Sequence, residues 1–359
     1  MKRKRSFLKA IGIVLSVAVL LLIVFYAFCV VMYNENLNTR CESYEPLMLR
    51  TEDFDGLQCT EYQFPSDKGQ LLAGYLYSAG EDQRGVVVLA HGFGEGHNSY
   101  MDCANYFAQN GYYVFAYDVT GSDKSEGDGT GGTPQGVIDL EHAISFVEAN
   151  DDIPELPVVL FGHSWGGYSV CGVLTYHPEV KAIIECSGFN RSSDMFEAGG
   201  KQQAGDFICS MTPFVRLHER LKFGEYAVNT AMDGFEASNA SVMVVHSADD
   251  EMIGIEYGYD QYYEKYRDDP RFTFVRFEDR GHNGIVNDPS NTYKDEFNVG
   301  FDEWREALDY DYAAEENKTR FAEDKADYIR ANLDHARWSD RLDEELFSGF
   351  VDFFDKAIQ

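Results

Sequence analysis

Metal-type cysteine spacing is missing from this chain. None of its seven cysteines forms a C-x-x-C pair, so zinc and thioredoxin-like redox readings lack support. Basic residues are scarce. Thirty Lys and Arg face 61 Asp and Glu, for a formal net charge of −31. Five of those cations sit in residues 1–9, where there is no acid, so the remainder carries −36. A surface that acidic repels nucleic acid and anionic headgroups, which argues against a nucleic-acid partner. No internal repeat and no low-complexity linker divides the 359 residues. Hydrophobic residues at 44% and charged residues at 25% exclude wholesale disorder.

One long stretch lacks charge altogether. Residues 10–34 hold no Asp, Glu, Lys or Arg, and Lys2, Arg3, Lys4, Arg5 and Lys9 precede them. Twenty-five such residues suffice to cross a hydrocarbon layer of about 30 Å as a helix. A cleaved signal peptide would show a shorter apolar region and a small-x-small cleavage site. Here the run ends in Phe28, Cys29, Val30, Val31, Met32 and Tyr33, which offers none. The expectation is an uncleaved single-pass anchor in the cell membrane. Residues 1–9 would be cytoplasmic, residues 10–34 the span, and everything beyond extracytoplasmic. Polar, irregular residues 35–56 read as a stalk, and residues 57–359 as one domain.

Within that domain, residues 60–64 and 71–77 read as an antiparallel hairpin across Pro65-Ser66-Asp67-Lys68-Gly69. The run Val86-Val87-Val88-Leu89-Ala90 is short, β-branched and uninterrupted, as expected of a strand buried on both faces. Similar runs at 113–117, 158–161, 182–186, 242–246 and 272–277 alternate with helical patterns near 100–109, 135–149 and 166–176. That alternation predicts an α/β fold with a mostly parallel central sheet and helices on both faces. Residues 189–240, rich in Phe and Met, interrupt the pattern as a cap insertion. Residues 289–359 form an acidic helical tail: 299–338 read as a solvated hairpin, and Leu342, Leu346, Phe350 and Phe354 as the buried stripe of a final helix. Cys103, Cys171 and Cys186 read as core thiols, whereas Cys41 and Cys59 could pair in an oxidising compartment.

The chemistry concentrates where the strand at 158–161 ends. Gly162-His163-Ser164-Trp165-Gly166 is a G-x-S-x-G motif directly after a buried strand and directly before a helix. That is the setting of a nucleophile elbow, in which a sharp turn holds the serine Oγ out above the sheet. A nucleophilic serine needs a base and a group to orient it. His282, in the loop Arg280-Gly281-His282-Asn283-Gly284 after the strand at 272–277, is the candidate base. His91 and His163 sit beside glycines at strand ends and read as turn residues, His142 as a helix residue, and His177 as a helix end. Either Asp249 or Asp250, after the strand at 242–246, can be the orienting acid, because such residues belong at the carboxyl edge of a parallel sheet. An oxyanion needs two backbone donors. Trp165 N–H, next to the nucleophile, and Phe93 N–H, in His91-Gly92-Phe93-Gly94-Glu95-Gly96 after the strand at 86–90, are the candidates.

Taken together, these motifs resemble the α/β-hydrolase superfamily, in its serine-aminopeptidase-like and monoacylglycerol-lipase-like branch. The resemblance rests on His91-Gly92-Phe93-Gly94-Glu95, Gly162–Gly167, Gly281-His282, and the loop Tyr117-Asp118-Val119-Thr120-Gly121-Ser122-Asp123-Lys124-Ser125-Glu126-Gly127. It covers residues 60–285; the apolar N-terminus and most of 286–338 have no counterpart in it. The family's usual spacing aligns Asp250 with the acid of a Ser164–Asp250–His282 triad. The resemblance implies a serine hydrolase of carboxylic esters working through an acyl-enzyme on Ser164, with a small-molecule or lipid-like acyl substrate. It implies neither metal nor organic cofactor. A serine aminopeptidase on the same triad is the alternative, with Asp194, Glu197 or Asp206 to hold a substrate ammonium.

Two rivals come from other classes. Gly127-Asp128-Gly129-Thr130-Gly131-Gly132 satisfies G-x-G-x-x-G, but a dinucleotide site needs that turn to join strand directly to helix. Here the strand ends near Asp118 and the helix begins near Pro134, so the segment reads as a loop on the site rim. The other rival is a non-catalytic, membrane-anchored binding module on the same fold, which an intact set of candidate catalytic groups disfavours.

Overall fold

A computed structural model describes residues 2–359, with side chains from Phe7 onward. The side chains of Lys2–Arg5, on which the expected membrane orientation rests, lie outside the described residues. Eight strands form one sheet: β1 (Gln58–Pro65), β2 (Leu71–Ser78), β3 (Val86–Ala90), β4 (Tyr113–Tyr117), β5 (Val158–His163), β6 (Ala182–Cys186), β7 (Ser241–Ser247) and β8 (Phe272–Phe277). Their order is β1-β2-β4-β3-β5-β6-β7-β8. The β1–β2 and β2–β4 pairs are antiparallel and the other five pairs parallel. This is the mostly parallel sheet that the alternating pattern predicts.

Twelve α-helices accompany it among the described residues: α1 (Lys2–Leu37), α2 (Met101–Gln109), α3 (Gln135–Ala149), α4 (Trp165–Gly172), α5 (Ser192–Ala204), α6 (Thr212–Phe223), α7 (Ala231–Ala237), α8 (Tyr259–Tyr266), α9 (Tyr293–Glu306), α10 (Lys318–Asn332), α11 (His335–Ser339) and α12 (Glu344–Ala357). Strand alternation divides the core between the two sheet faces. Val86, Val88 and Ala90 of β3 pack with α3, α4, α7 and α8. Val87 and Leu89 pack with α2 and α12. Asp343 caps α12 by accepting from Leu346 N–H. Phe347, Phe350 and Phe354 of that helix are fully buried, at the i, i+3, i+7 spacing that aims one helical face at a sheet. Leu342 precedes the helix and Leu346 is only half-buried, so the buried stripe is rotated from the one read in sequence.

Three segments differ from expectation. Residues 38–56 lie against the domain instead of standing off as a stalk. Cys41 N–H donates to Gly121 O, Asp123 N–H donates to Cys41 O, Arg40 reaches the carbonyls of Asp123, Ser125 and Gly127, and Leu49 is buried in the core. Polar backbone in this segment thus pairs with another loop, a partner that composition does not reveal. Within 189–240, α7 belongs to the main body, because Gly234 allows it to seat on Cys171 of α4: a Cβ there would meet Cys171 O at 2.1 Å. The cap proper is α5, α6 and the short 3-10 turns at Gly205–Ser210 and Gly224–Ala227. Finally, the apolar N-terminal helix does not end at the domain border. Cys29, Tyr33 and Leu37 are buried in a cluster with Phe196, Ile208, Met211 and Val215 of the cap. Cys41 and Cys59 are free thiols.

Candidate active site

The turn between β5 and α4 builds the site. Ser164 has φ 57° and ψ −117°, a strained backbone for a residue with a side chain. The neighbouring glycines explain how the chain tolerates it. A Cβ on Gly162 would lie 2.3 Å from Gly166 O, and one on Gly166 would lie 2.0 Å from Ala90 O. The spacing therefore encodes close backbone approach, and it leaves Ser164 half-exposed at the carboxyl edge of the sheet.

Loops after β7 and β8 meet this turn. His282 Nε2 lies 2.8 Å from Ser164 Oγ, and His282 Nδ1 lies 2.7 Å from Asp250 Oδ2. The Asp250 carboxylate is firmly seated, since its Oδ1 accepts from the N–H groups of Met252 and Ile253. Burial pushes the Asp250 carboxyl up. Hydrogen bonds from His246 and His282, the His282 charge and the Ile253 amide outweigh that, and hold it well below the usual carboxylate range. Asp249 points elsewhere: its Oδ1 accepts from Ser247 Oγ and from Gly281 N–H, clamping the loop that carries His282. Geometry thus brings Ser164, His282 and Asp250 together and leaves Asp249 one bond removed.

Of the two expected oxyanion donors, neither the Phe93 nor the Trp165 N–H has a hydrogen-bond acceptor among the described residues. Their side chains meet edge to face, with ring centroids 5.5 Å apart. His91 holds the preceding turn in place, with Nδ1 on Gly92 O and Nε2 accepting from Val119 N–H.

Two histidines serve the site without standing in it. His163 Nε2 lies 3.0 Å from the His282 carbonyl and its Nδ1 2.8 Å from Tyr100 Oη, which accepts from Gly92 N–H. Burial and the neighbouring His282 push His163 down to about 3, so it stays neutral and ties the loop carrying His282 to the Gly92–Phe93 turn. His246 Nε2 bonds Ile253 O at 2.9 Å and approaches Asp250 Oδ2 at 3.2 Å. Behind His246 lies fully buried Glu185, which burial pushes up to about 7 against the pull of His246. Sequence reasoning placed His163 in a turn and assigned nothing to His246 or Glu185. A histidine four residues before the acid was the available signal for His246. Glu185, a lone carboxylate within an apolar strand, was legible as unusual.

Ser164 and His282 line a mostly apolar cavity of about 340 Å³. Phe93, Met195, Phe196, Ile208, Met252 and Ile253 line it, and so do Met32, Asn36 and Leu37 of α1. Those three α1 residues were missed in sequence, although Phe25, Cys29, Tyr33 and Leu37 repeat every four residues, the mark of one helical face. A second, more polar cavity of about 420 Å³ adjoins the first through Glu95, Tyr100, His163 and Asn283, and extends to Asp102, Lys294 and Arg341. The G-x-G-x-x-G segment does not join a strand directly to a helix, because β4 ends at Tyr117 and α3 begins at Gln135. It seats the end of α1 instead, with Thr130 Oγ1 donating to Leu37 O and Gly131 N–H to Asn38 Oδ1.

A serine in a sharp strand-to-helix turn on an eight-stranded, mostly parallel sheet is the arrangement of the α/β-hydrolase fold. Comparison with known proteins agrees. Residues 81–225 match the family model described as serine aminopeptidase, S33. The chain is 31% identical over 137 residues to a monoacylglycerol lipase of Mycolicibacterium smegmatis, covering 36% of this chain and 46% of that protein. It is 30% identical over 144 residues to a monoglyceride lipase of Saccharomyces cerevisiae, covering 39% and 42%. The matches thus span less than half the length of these relatives. Among solved structures, an esterase of Pyrococcus furiosus superposes with a TM-score of 0.54 at 14% identity, covering 74% of this chain and 96% of that one. An acylaminoacyl peptidase of Pyrococcus horikoshii gives 0.54 at 15%, covering 86% and 43%; at such identity both speak for the fold alone. The chain thus has the α/β-hydrolase fold, and in residues 81–225 it resembles the serine-aminopeptidase and monoacylglycerol-lipase branch.

Proposed function

We propose that this protein is a membrane-anchored serine hydrolase that cleaves carboxylic esters through an acyl-enzyme on Ser164. The observation that carries the reading is the 2.8 Å approach of His282 Nε2 to Ser164 Oγ on the lining of an apolar cavity. In the first half-reaction Ser164 Oγ attacks the ester carbonyl and its proton passes to His282 Nε2. Asp250 holds the imidazole in the tautomer with Nδ1–H and stabilises the imidazolium. The N–H groups of Phe93 and Trp165 donate to the oxyanion, each worth about 10²–10³ in rate. Collapse breaks the bond to the leaving alkoxide, which takes the proton from His282. Water, deprotonated by the same imidazole, then attacks the acyl-enzyme, and the acid and Ser164 are released. The apolar cavity suits the acyl group and the adjoining polar cavity the alcohol.

The ester reading is favoured over the aminopeptidase one by what the cavity lacks. Among the described residues, Glu95 is the one acid along its lining. Asp194 instead caps the start of α5, Glu197 is bonded by Thr212 and Lys201, and Asp206 is exposed on the cap. The N-terminal helix supplies the anchor in this reading, since Phe7–Leu37 is long and apolar enough to cross a membrane. Basic residues 2–5 would remain cytoplasmic and the domain would face outward.

A fluorophosphonate probe tests the centre of the proposal. Wild type is expected to label and to hydrolyse acyl esters faster than aminoacyl anilides. Ser164→Ala should lose both labelling and hydrolysis with an unchanged circular-dichroism spectrum. Full labelling of the variant would remove Ser164 from the mechanism. On intact cells, external protease should digest the domain and spare an N-terminal tag; protection of the domain would reverse the orientation.

A further inference from the structure

The helix proposed as the anchor is also part of the substrate cavity. From Phe7 to Val24 its large apolar side chains face outward without a protein partner. From Phe25 onward one face turns against the cap: Phe25 meets Phe214 edge to face at 5.2 Å, and buried Tyr33 donates to Glu219 Oε1 at 2.8 Å. These two pairs run in the same order along both helices, so α6 descends beside α1 with its N-terminal end toward the apolar span. At 1.5 Å per residue, residues 7–28 cover about 33 Å, the thickness of a hydrocarbon layer. Met32, which lines the cavity, stands only about 6 Å beyond Phe28. A continuous helix joins the two, with no hinge in Lys2–Leu37 to lift the domain away.

The lower edge of the cap carries side chains suited to that depth. Phe207 is 58% exposed and Leu217 46%, and both are apolar. Phe207 is the neighbour of Ile208, which lines the cavity. Cations accompany them. Arg216, Arg220 and Lys222 are exposed on α6, whereas its one acid, Glu219, is buried. In a chain with twice as many acids as bases, that helix stands out as an interfacial surface: apolar groups dip toward acyl chains while cations reach headgroup phosphates.

We propose that α1 is a wall of the acyl cavity as well as the anchor, and that the site draws its ester from the bilayer. The acyl chain passes laterally between the last turns of α1 and the cap segment 205–217, and the substrate class is a long-chain ester lipid resident in the membrane. The proposal rests on the ester-hydrolase reading above, and its surface commits to a lipid bilayer as occupant because the apolar face of α1 continues into it.

Full-length protein in phosphatidylcholine vesicles tests it with two substrates, water-soluble p-nitrophenyl butyrate and a long-chain monoacylglycerol held in the bilayer. Phe207→Asp is expected to lower the ratio of bilayer-ester to soluble-ester turnover by about tenfold or more, the loss of one apolar side chain's transfer to lipid. Phe207→Trp should add fluorescence that lipids brominated on their acyl chains quench. Met32→Trp, which narrows the wall, should shift kcat/KM toward short acyl chains. An unchanged turnover ratio, or absent quenching, overturns bilayer supply, and an unchanged chain-length preference overturns the wall. If neither ester is turned over while the added tryptophan is quenched, the ester reading falls and the docking surface stands.

Discussion

Replacing Asp250 by Asn separates the proposed acid from its neighbour with one atom. Asp250 uses both oxygens: Oδ1 takes the amides of Met252 and Ile253, and Oδ2 faces His282 Nδ1 at 2.7 Å and His246 Nε2 at 3.2 Å. In the variant, Oδ1 keeps the two amides, so the new NH₂ group falls where Oδ2 was. It can only donate there. His282 must then accept at Nδ1 and carry its proton on Nε2, the atom facing Ser164, and a base already protonated at that atom cannot take the serine proton. Loss of the correct tautomer costs about 10³–10⁴ in kcat, or about 4–5.5 kcal/mol of transition-state stabilisation. The fold should survive, because side-chain volume and the amide bonds are kept. Asp249→Asn makes the contrasting case. Both of its bonds, from Ser247 and Gly281, end on one oxygen, which asparagine retains, so the variant should keep most of its activity. Stopped-flow release of p-nitrophenol from an activated ester reads the acylation step directly. An Asp250→Asn enzyme within tenfold of wild type, beside an inactive Asp249→Asn, would move the acid by one residue and refute the tautomer argument.

Two further predictions concern buried groups. Glu185 is raised to about 7 from an ordinary 4.5, first by burial; the folded state therefore binds its proton more tightly than the unfolded chain. Its contribution to stability is full below pH 4.5 and is lost as pH rises through about 7. The loss is on the order of 3 kcal/mol if the whole shift is expressed. Glu185→Gln should gain thermal stability relative to wild type at pH 8 but not at pH 4.5, measured by paired melting curves; a pH-independent difference would contradict it. Tyr33→Phe leaves Glu219 without its α1 donor and Thr133 N–H without an acceptor, at about 1–3 kcal/mol for each unsatisfied group. Its melting temperature in detergent should fall, and chemical denaturation with no change in midpoint would show that α1 is not held to the cap by this bond.

Much of the sheet was legible because its signals are local. Val86–Ala90 and Val158–Phe161 are uninterrupted apolar runs, as a strand buried on both faces requires. The elbow was legible for a different reason. Gly162 is required by contact with Gly166 and Gly167, within five residues, so the sequence displays that constraint where it acts, while Gly166 makes room for Ala90 O of the neighbouring strand. The choice between Asp249 and Asp250 was harder, since both sit in one turn; it depends on how that turn meets the loop at 280–282, thirty residues on. His163 and His246 were harder still. Each bonds a backbone carbonyl, of His282 and Ile253, and a carbonyl leaves no mark of its own in a sequence.

The N-terminal helix shows most clearly where one-dimensional reading stops. Hydropathy grades residues 10–34 as one apolar segment, because lipid and a protein core select the same side chains. Yet the segment divides near Phe25: before it every face is exposed, and from it onward one face packs on the cap. The difference lies in periodicity. Phe25, Cys29, Tyr33 and Leu37 recur every four residues, and Tyr33 adds a hydroxyl that a lipid environment would leave unsatisfied. In the structure that hydroxyl donates to Glu219, on a helix 186 residues further along, and accepts from Thr133 N–H. A polar atom at the end of a candidate span therefore carried information that mean hydropathy discards. It marked the point at which the helix leaves the expected bilayer and becomes part of the wall around Ser164.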